Sequence, residues 1–400
     1  MKRYFSPFCF LFMIATQFSC TEKELDDNTP IVTGFDQFVE NDEAFEIIYL
    51  NIIELSPEKD VLLSSIERVA FTDSIIIVKS DHNLFSFDLK GKFLNKIGNR
   101  GRGHGEYVDL YSFFIDKERK EICIVDQYSR SFLYYNYKGL FLHKEVFESN
   151  DYCMMQASVY LGSDKMLCQN YILKDFKNYL FSEYDIQKKT YYNVMPTKLK
   201  TINTAESFGG TCFSVRKDDI KLIAPFENTI YKYKEKKTEP FLRVDIPKSR
   251  RIPKRTIKQI IKKRSFNFFS KVQLFTENYF AGFNDIFETD DYIFLNELPG
   301  ATFFIINKNK MTGTYHEFLP AFDEEKEEQE RFKTMPLINI RMSVDNKLVG
   351  FGDYWTMERY FSLFPDDCCD KWMILFKDYF NHLDKESNPC LLLYELSLKQ

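Results

Sequence analysis

Apolar and polar residues alternate in short runs along this chain, and the runs recur at a regular interval. Residues 71–98 read FTDSIIIVKSDHNLFSFDLKGKFLNKIG, and residues 114–145 read FIDKERKEICIVDQYSRSFLYYNYKGLFLHKE. Each stretch holds an apolar run, a polar turn, an alternating run, a Lys-Gly turn and a further run, which is the pattern of successive antiparallel β-strands. The turn glycines, Gly91 and Gly139, lie about 48 residues apart, close to the length of one four-stranded propeller blade.

Weaker copies of the same two-strand unit continue to the C-terminus. The paired runs are 165–168 with 179–185, 220–224 with 229–233, 293–296 with 302–308, and 347–350 with 391–396. Six units predict an all-β fold, a six-bladed β-propeller with four-stranded blades. The apolar segment 45–55 has no local partner, and we expect it to pair with the C-terminal strand near Leu392. That pairing would close the ring and remove its exposed sheet edges.

Two stretches depart from the strand pattern and predict helical insertions at about 252–272 and 355–385. In the first, Ile257, Ile260, Ile261 and Phe268 have helical spacing, and Lys and Arg are concentrated between residues 250 and 264. This basic amphipathic helix presents either a solvated face or a surface for an acidic partner, phosphate or headgroups. In the second, we expect an apolar face that packs on the propeller.

The N-terminus has the pattern of an export signal. Lys2 and Arg3 precede the apolar run 8–15, and Ser19 precedes Cys20 in the manner of a lipoprotein cleavage site. We therefore divide the chain into a lipoprotein-type signal peptide (1–20), a flexible tether (21–40) and the propeller (41–400). Acylation of Cys20 would anchor an outer-membrane lipoprotein facing the periplasm or the cell surface; ordinary cleavage would leave Cys20 unmodified.

Composition narrows the class of protein. Apolar residues make up 44% of the chain, with 41 Phe and 24 Tyr, which supplies material for packed sheets. The net charge of −5, with both signs mixed along the chain, indicates no nucleic-acid partner, and we expect a monomeric domain. Cys123 and Cys168 lie in strand-like runs and are interpreted as buried apolar residues. Cys368 and Cys369 stand among aspartates but lack zinc-ligand spacing, so no metal site is assigned.

Within residues 90–139, the motifs GKFLNKIGNRGRGHGEY, FFID, ICIVD and YYNYKG resemble the six-bladed β-propeller lipoproteins of Gram-negative bacteria, relatives of NHL-type propellers. That family has Pro where His104 stands. The resemblance implies a propeller fold and a location in the cell envelope, and it implies no catalytic residues.

The loop 98–107 is the most unusual local sequence, with four glycines among charged residues. A nucleotide-binding glycine motif opens a helix, whereas this loop lies between two strands, so we interpret it as a crossover between blades in which Glu106 accepts backbone donors. In a propeller, such crossovers share a rim with the turns between second and third strands. The candidate ligand-binding residues on that rim are Asp81, His82, Arg100, Arg102, His104, Glu106, Asp126 and Arg130. Asp126 and Arg130 alternatively form an ion pair.

No hydrolase signature such as HExxH, GxSxG or an EF-hand loop occurs. The sequence therefore predicts a non-catalytic envelope protein, without a cofactor, that binds a glycan, peptide or partner protein through the loop rim. The competing class is a hydrolase or lyase that uses carboxylates, with or without Ca²⁺, at the mouth of the central channel. Propellers host both classes, so the fold alone does not decide between them.

Overall fold

The fold follows from a computed structural model. It describes residues 28–35, 45–56, 61–147, 158–170, 178–197, 212–216, 219–263, 274, 277–297, 302–317, 340–361 and 371–398. The signal segment with Cys20, the acidic stretch 323–331 and the Cys368-Cys369 pair lie outside these residues.

Six antiparallel sheets follow one another along the chain, each a meander of four strands. Two N-terminal strands, β1 (Ile31–Val32) and β2 (Phe45–Glu54), join later blades. Blade 1 contains β3 (Arg68–Phe71), β4 (Ile75–Ser80), β5 (Asn83–Asp88) and β6 (Phe93–Lys96). A short parallel pair, β7 (Asn99–Arg100) and β8 (Glu106–Tyr107), lies in the connection to blade 2.

Blades 2 to 4 repeat the meander. Blade 2 contains β9 (Leu110–Asp116), β10 (Glu121–Asp126), β11 (Ser131–Asn136) and β12 (Phe141–Val146). Blade 3 contains β13 (Ser158–Gly162), β14 (Lys165–Gln169), β15 (Tyr179–Asp185) and β16 (Thr190–Pro196). Blade 4 contains β17 (Phe213–Arg216), β18 (Asp219–Ile223), β19 (Thr229–Lys234) and β20 (Lys237–Val244), and β1 adds a fifth, parallel strand beside β20.

Blades 5 and 6 complete the ring. Blade 5 contains β21 (Phe283–Glu288), β22 (Tyr292–Glu297), β23 (Thr302–Asn307) and β24 (Thr312–Glu317). Blade 6 contains β25 (Ile340–Val344), β26 (Lys347–Gly352) and β27 (Cys390–Leu398), and β2 from the N-terminus supplies its outermost strand. Ile52 stands opposite Leu392 in the β2–β27 ladder, which confirms the closure predicted from the sequence.

The core lies between the blades rather than at the centre of one globule. Separate apolar clusters fill the spaces between blades 1 and 2, 2 and 3, 5 and 6, and 6 and 1, and a larger cluster joins blades 3, 4 and 5. Tyr135 and Tyr394 are fully buried in two of these clusters. Because each sheet buries both faces, its middle strands are almost continuously apolar, as in IIIV of β4.

The repeated Lys-Gly turn has a structural cause. Asp88 Oδ1 accepts the backbone amides of Lys90 and Lys92, and Asn136 Oδ1 accepts those of Lys138 and Leu140 in the next blade. Gly91 and Gly139 follow with φ of 87° and 77°, which only glycine adopts without strain. Each glycine also packs against the outermost strand of the preceding blade, Gly91 against Glu54 and Gly139 against Lys96.

Helices occur where the sequence pattern predicted insertions. In the first, a 3₁₀ turn (Lys248–Arg250) leads to α1 (Lys254–Lys263), and residues 264–272 of the predicted insertion lie outside the described residues. The second contains α2 (Tyr354–Phe361) and α3 (Lys371–Phe380), two helices rather than one continuous run. Met357 and Phe376 are fully buried against blades 5 and 6, as predicted for its apolar face. No helix among the described residues has the length and apolar character required to cross a membrane.

The two faces of the ring differ in their connections. One face carries the turns from first to second and from third to fourth strands, and we call it the turn face. The other carries the connections between blades and the turns from second to third strands, and we call it the crossover face. Turn-face connections such as 72–74, 117–120 and 308–311 are short, whereas the described parts of the crossover-face connections include 97–109, 245–263, 353–361 and 371–389.

Candidate functional site

The crossover face is the candidate functional face because nearly all of the irregular chain belongs to it. Loops on a rigid scaffold provide most binding and catalytic residues, whereas tight turns offer little surface. Both helical insertions and the glycine-rich loop are connections of this face.

The glycine-rich loop folds around Glu106. Glu106 Oε2 accepts the amide of Gly103 at 2.7 Å, and the amide of Gly101 donates to the carbonyl of Tyr107 at 2.8 Å. A Cβ on Gly101 would lie 2.0 Å from the Glu106 carboxylate, so these glycines leave room for that side chain. The contacts agree with the predicted role of Glu106 as an acceptor of backbone donors, and they leave the loop without a helix at which phosphate could bind.

Asp126 links this crossover to blade 2. Its side chain is fully buried and accepts the amide of Val108 at 2.7 Å, the amide of Ser129 at 3.0 Å and the hydroxyl of Ser129 at 2.6 Å. Asp126 therefore satisfies donors from two connections that share a rim. No ion pair joins it to Arg130 in the part of the chain that the structure describes, so the alternative of such a pair is wrong.

The other rim candidates are exposed. Asp81 accepts the hydroxyl of Ser64 at 2.6 Å, and the His82 carbonyl accepts the hydroxyl of Tyr107 at 3.0 Å. Burial raises the pKa of Tyr107 to about 12, with the nearby Arg100 acting in the opposite direction. Arg102, His104 and Arg130 are also exposed. The structure thus brings all eight predicted residues to the crossover face between blades 1 and 2.

A different group of polar residues lies at the mouth of the channel, where the first strands of the blades begin. Arg68 opens β3, the innermost strand of blade 1. Its Nη1 donates to Ser112 Oγ of blade 2 at 2.8 Å, and its Nη2 donates to the Ser158 carbonyl of blade 3, also at 2.8 Å. The guanidinium therefore joins the innermost strands of three blades, and it also lies 5.2 Å from the centroid of the Phe113 ring.

Three innermost strands carry an irregularity at the same place. The pairing of first and second strands skips Tyr111 in blade 2, Asn284 in blade 5 and Arg341 in blade 6. Each is the second residue of its strand, so all three irregularities lie at the crossover-face end of the channel. Bulges of this kind redirect side chains and are common beside functional sites.

Uncharged polar side chains and Asp285 lie on the opposite side of the mouth. Gln169 Nε2 donates to Cys212 Sγ at 3.4 Å, and Asn284 Nδ2 donates to Asp285 Oδ2 at 2.9 Å. Burial raises the pKa of the Cys212 thiol to about 12, which makes it a poor nucleophile at neutral pH. The described cysteines 123, 168 and 390 are likewise buried and free. No three described His, Cys, Asp or Glu side chains converge as metal ligands.

Ion pairs elsewhere tie blades together. Arg119 of blade 2 binds Asp164 of blade 3 through two hydrogen bonds of 2.6 and 2.8 Å, and these bonds hold the pKa of Asp164 below its usual value. Lys221 of blade 4 binds the buried Glu288 of blade 5 at 2.8 Å. Arg250, which follows blade 4, binds Glu297 at 2.7 Å. These pairs have their partners within the fold and are structural.

Sequence reasoning did not select Arg68, Tyr111, Asn284 or Arg341. Arg68 stands in an ordinary strand, and its significance depends on which groups of blades 2 and 3 surround it. The bulges depend on strand register, which a single sequence does not reveal. A positive residue at the first position of an innermost strand is the one signal available, and it becomes informative only after the blades have been assigned.

Comparisons with known proteins agree with the fold. A putatively exported protein of Bacteroides fragilis NCTC 9343 superposes with a TM-score of 0.67 at 17% identity, covering 92% of this chain and 99% of the other. A member of the DUF4221 family from Bacteroides vulgatus superposes with a TM-score of 0.50 at 10% identity, covering 90% of this chain and 100% of the other. At these identities, the similarity establishes the propeller fold alone. No curated protein matches the sequence.

The family assignment rests on sequence rather than on shape. A model of a domain of unknown function, DUF4934, matches residues 48–395. The match begins within β2 and ends within β27, so it includes both strands that close the ring and all six blades. The chain therefore belongs to the DUF4934 family.

Proposed function

We propose that this protein is an exported, lipid-anchored component of the cell envelope that binds a glycan, peptide or partner protein through its crossover face. The observation that carries the proposal is the difference between the two faces. Tight turns close one face, whereas the long connections and both helical insertions belong to the other. Concave surfaces beside such connections are the usual binding sites of closed β architectures.

Export is supported by the charged and apolar N-terminal segment and by the description of the Bacteroides fragilis relative as an exported protein. For lipid attachment, the support is Cys20 at the expected cleavage position. Mass measurement of the protein from a membrane fraction tests this directly: an acylated N-terminal Cys20 is expected. An unmodified residue there would contradict lipid attachment without affecting the assignment of the binding face.

Binding is tested with protein that begins at Asp26, immobilised and exposed to envelope glycans and proteins. The Arg100→Ala/Arg102→Ala variant removes two exposed charges from the crossover face, and Lys117→Ala/Lys138→Ala removes two exposed charges from the turn face. We expect binding to fall by about tenfold or more in the first variant, as for loss of charged contacts. Equal binding by both variants and the wild type would overturn the assignment of the rim.

A further inference from the structure

We propose that the channel mouth holds a carboxylate recognition site centred on Arg68. The inference rests on the proposed binding function of the crossover face and specifies the chemistry of its ligand. Arg68 opens the innermost strand of blade 1, and the chain enters that strand from the crossover connection 55–67. The side chain is half-buried, and two hydrogen bonds to other blades hold its guanidinium.

The Arg68 guanidinium has no carboxylate partner among the described residues. The partners of the guanidinium are the Ser112 hydroxyl, the Ser158 carbonyl and the Phe113 ring, all of them neutral. No carboxylate forms an ion pair with Arg68 in the part of the chain that the structure describes. Three other basic side chains that join blades are each paired with a carboxylate; the pairs are Arg119 with Asp164, Lys221 with Glu288, and Arg250 with Glu297.

Burial of the Arg68 charge without an anionic partner is unfavourable, which indicates that the charge has a role in binding. Removal of a cation from water is unfavourable unless an anion or several acceptors replace the water. Burial lowers the pKa of Arg68 to about 10, so the fold disfavours its charged form. A ligand carboxylate would provide the missing charge, and a guanidinium retains further N–H donors beyond the two in use.

The second argument is the preorganised geometry. Two hydrogen bonds of 2.8 Å to different blades fix the guanidinium plane, and Ser112 and Ser158 are themselves buried. A planar guanidinium that is already oriented binds the two oxygens of a carboxylate with little loss of side-chain freedom. Rigid support of this kind is what a recognition site requires, because a mobile arginine would lose rotamer entropy on binding.

The third argument is the second positive charge. Arg341 is the bulged residue at the crossover-face end of β25, the innermost strand of blade 6, which adjoins blade 1 in the closed ring. Its side chain is exposed. Two arginines therefore begin neighbouring innermost strands at one end of the channel. On the opposite side, the Asp285 carboxylate accepts a hydrogen bond from the Asn284 amide.

The test measures the melting temperature and the binding heat of purified protein with small probes. The probes are D-glucuronate and N-acetylglutamate, with D-glucose and N-acetylglutamine as neutral counterparts and inorganic phosphate as a second anion. We expect at least one carboxylate to raise the melting temperature and to bind the wild type, while its neutral counterpart does neither. The two carboxylates distinguish a sugar acid from an amino acid as the source of the group.

Arg68→Gln, Arg68→Lys and the turn-face variant Lys117→Gln, which removes an exposed charge far from the crossover face, assign the effect to a residue. Carboxylate affinity should fall by about tenfold or more in Arg68→Gln, to a smaller extent in Arg68→Lys, and remain unchanged in Lys117→Gln. Without a probe, Arg68→Gln should melt at or above the wild-type temperature, because an unpaired charge has been removed. A purely structural arginine predicts the reverse, a lower melting temperature.

The proposal is overturned if both carboxylates act no more strongly than their neutral counterparts, if phosphate replaces them fully, or if Arg68→Gln responds as the wild type does. Retained capture of envelope material by Arg68→Gln, together with any of these results, would reject the carboxylate site and leave the proposed binding face intact. Loss of capture in Arg100→Ala/Arg102→Ala and in Arg68→Gln alike would support both the binding rim and the carboxylate site.

Discussion

At the scale of single residues, a few side chains set the spacing of the repeat and the shape of the rim. The sequence pattern predicts only a turn glycine at Gly91. In the structure, Gly91 also lies against the backbone of Glu54 in the neighbouring blade. Asp126 reads as a candidate ligand-binding residue, yet its oxygens accept backbone amides from two connections. Both residues therefore affect stability more strongly than their turn or rim positions suggest.

Gly91→Ala should be more destabilising than Gly162→Ala. Both glycines have a positive φ, 87° and 83°, so both substitutions introduce strain of about 1–2 kcal/mol. A Cβ at Gly91 would also lie 1.9 Å from the Glu54 carbonyl oxygen, whereas nothing lies within 4 Å at Gly162. We expect a further loss of ~1–3 kcal/mol at position 91, measured by denaturant unfolding. Equal losses would show that the inter-blade contact adds nothing.

Asp126→Asn should lower the free energy of unfolding by about 1–3 kcal/mol. The substitution replaces one carboxylate oxygen with an NH₂ group, which cannot accept a hydrogen bond from the buried backbone N–H that this oxygen now binds. Asp81→Asn is the matched control, since Asp81 is exposed and on the same rim; a change within ~0.5 kcal/mol is expected there. Urea titrations of the two variants and the wild type make the comparison. A loss at position 81 as large as at position 126 would argue against the special role of Asp126.

At the scale of elements, the second and third strands of each blade were recognisable from the sequence, whereas most first and fourth strands were not. The predicted run 179–185 coincides with β15 (Tyr179–Asp185), because middle strands are buried on both faces and are densely apolar. Outer strands such as β12 are largely exposed and mixed in composition. The inner strand β17 has only four residues, too few for a distinct pattern.

The candidate site likewise has one part that the sequence predicts, the rim, and one part that it does not, Arg68. The rim residues 81–82, 100–106 and 126–130 were predictable because a propeller places these connections on one face once the repeat is assigned. Arg68 was not, because its distinguishing property is the absence of a carboxylate among neighbours contributed by other blades. Partners that are distant in the sequence cannot be inferred from local patterns, whereas connection order can.

The first turns of blades 2 and 3 give a pH-dependent prediction. Arg119 keeps the pKa of Asp164 below its usual value mainly through their hydrogen bonds, so the pair stabilises the fold above the unfolded carboxyl pKa of ~3.9. That stabilisation disappears as pH falls through the folded pKa. Arg119→Gln should therefore lower the free energy of unfolding by about 1 kcal/mol at pH 7, after allowance for partial exposure, and by less below pH ~4.

The exposed pair of Lys188 with Asp185 offers a matched control. Lys188→Gln keeps the hydrogen bond from the backbone N–H of residue 188 to the Asp185 carboxylate. It should change the free energy of unfolding by no more than ~0.5 kcal/mol at either pH. Urea unfolding at pH 7 and below pH ~4 separates the two variants. A loss in Arg119→Gln that does not depend on pH would indicate a packing effect in place of the ion pair.

At the scale of the whole molecule, β2 closes the ring by pairing with β27, so the first and last strands of the ring lie side by side in blade 6. The N-terminal segment also adds β1 to blade 4, and Phe35 packs against Phe280 and Phe304 in the cluster of blades 3 to 5. The described segment 28–35 is therefore attached at blades 4 and 5.

A disulfide across the closing strands should form readily. Tyr49 and Glu395 stand directly opposite each other in the β2–β27 ladder, and Tyr49 is exposed. Tyr49→Cys/Glu395→Cys should oxidise and gain ~3–5 kcal/mol, because a long loop is closed in the unfolded chain. Glu46→Cys/Glu395→Cys places its thiols on a diagonal, too far apart to bridge. Thiol titration and thermal unfolding distinguish the pairs, and equal oxidation of both would contradict the assigned register.

Site-specific photo-crosslinking tests most directly whether ligands bind the crossover face. A photoreactive residue is placed at Tyr128 on the crossover face or at Leu140 on the turn face; both belong to blade 2 and are 70% and 62% exposed. In cells that export the protein, irradiation should yield adducts with envelope material at position 128 and little or none at position 140. Adducts at position 140 alone, or equally at both positions, would contradict the account.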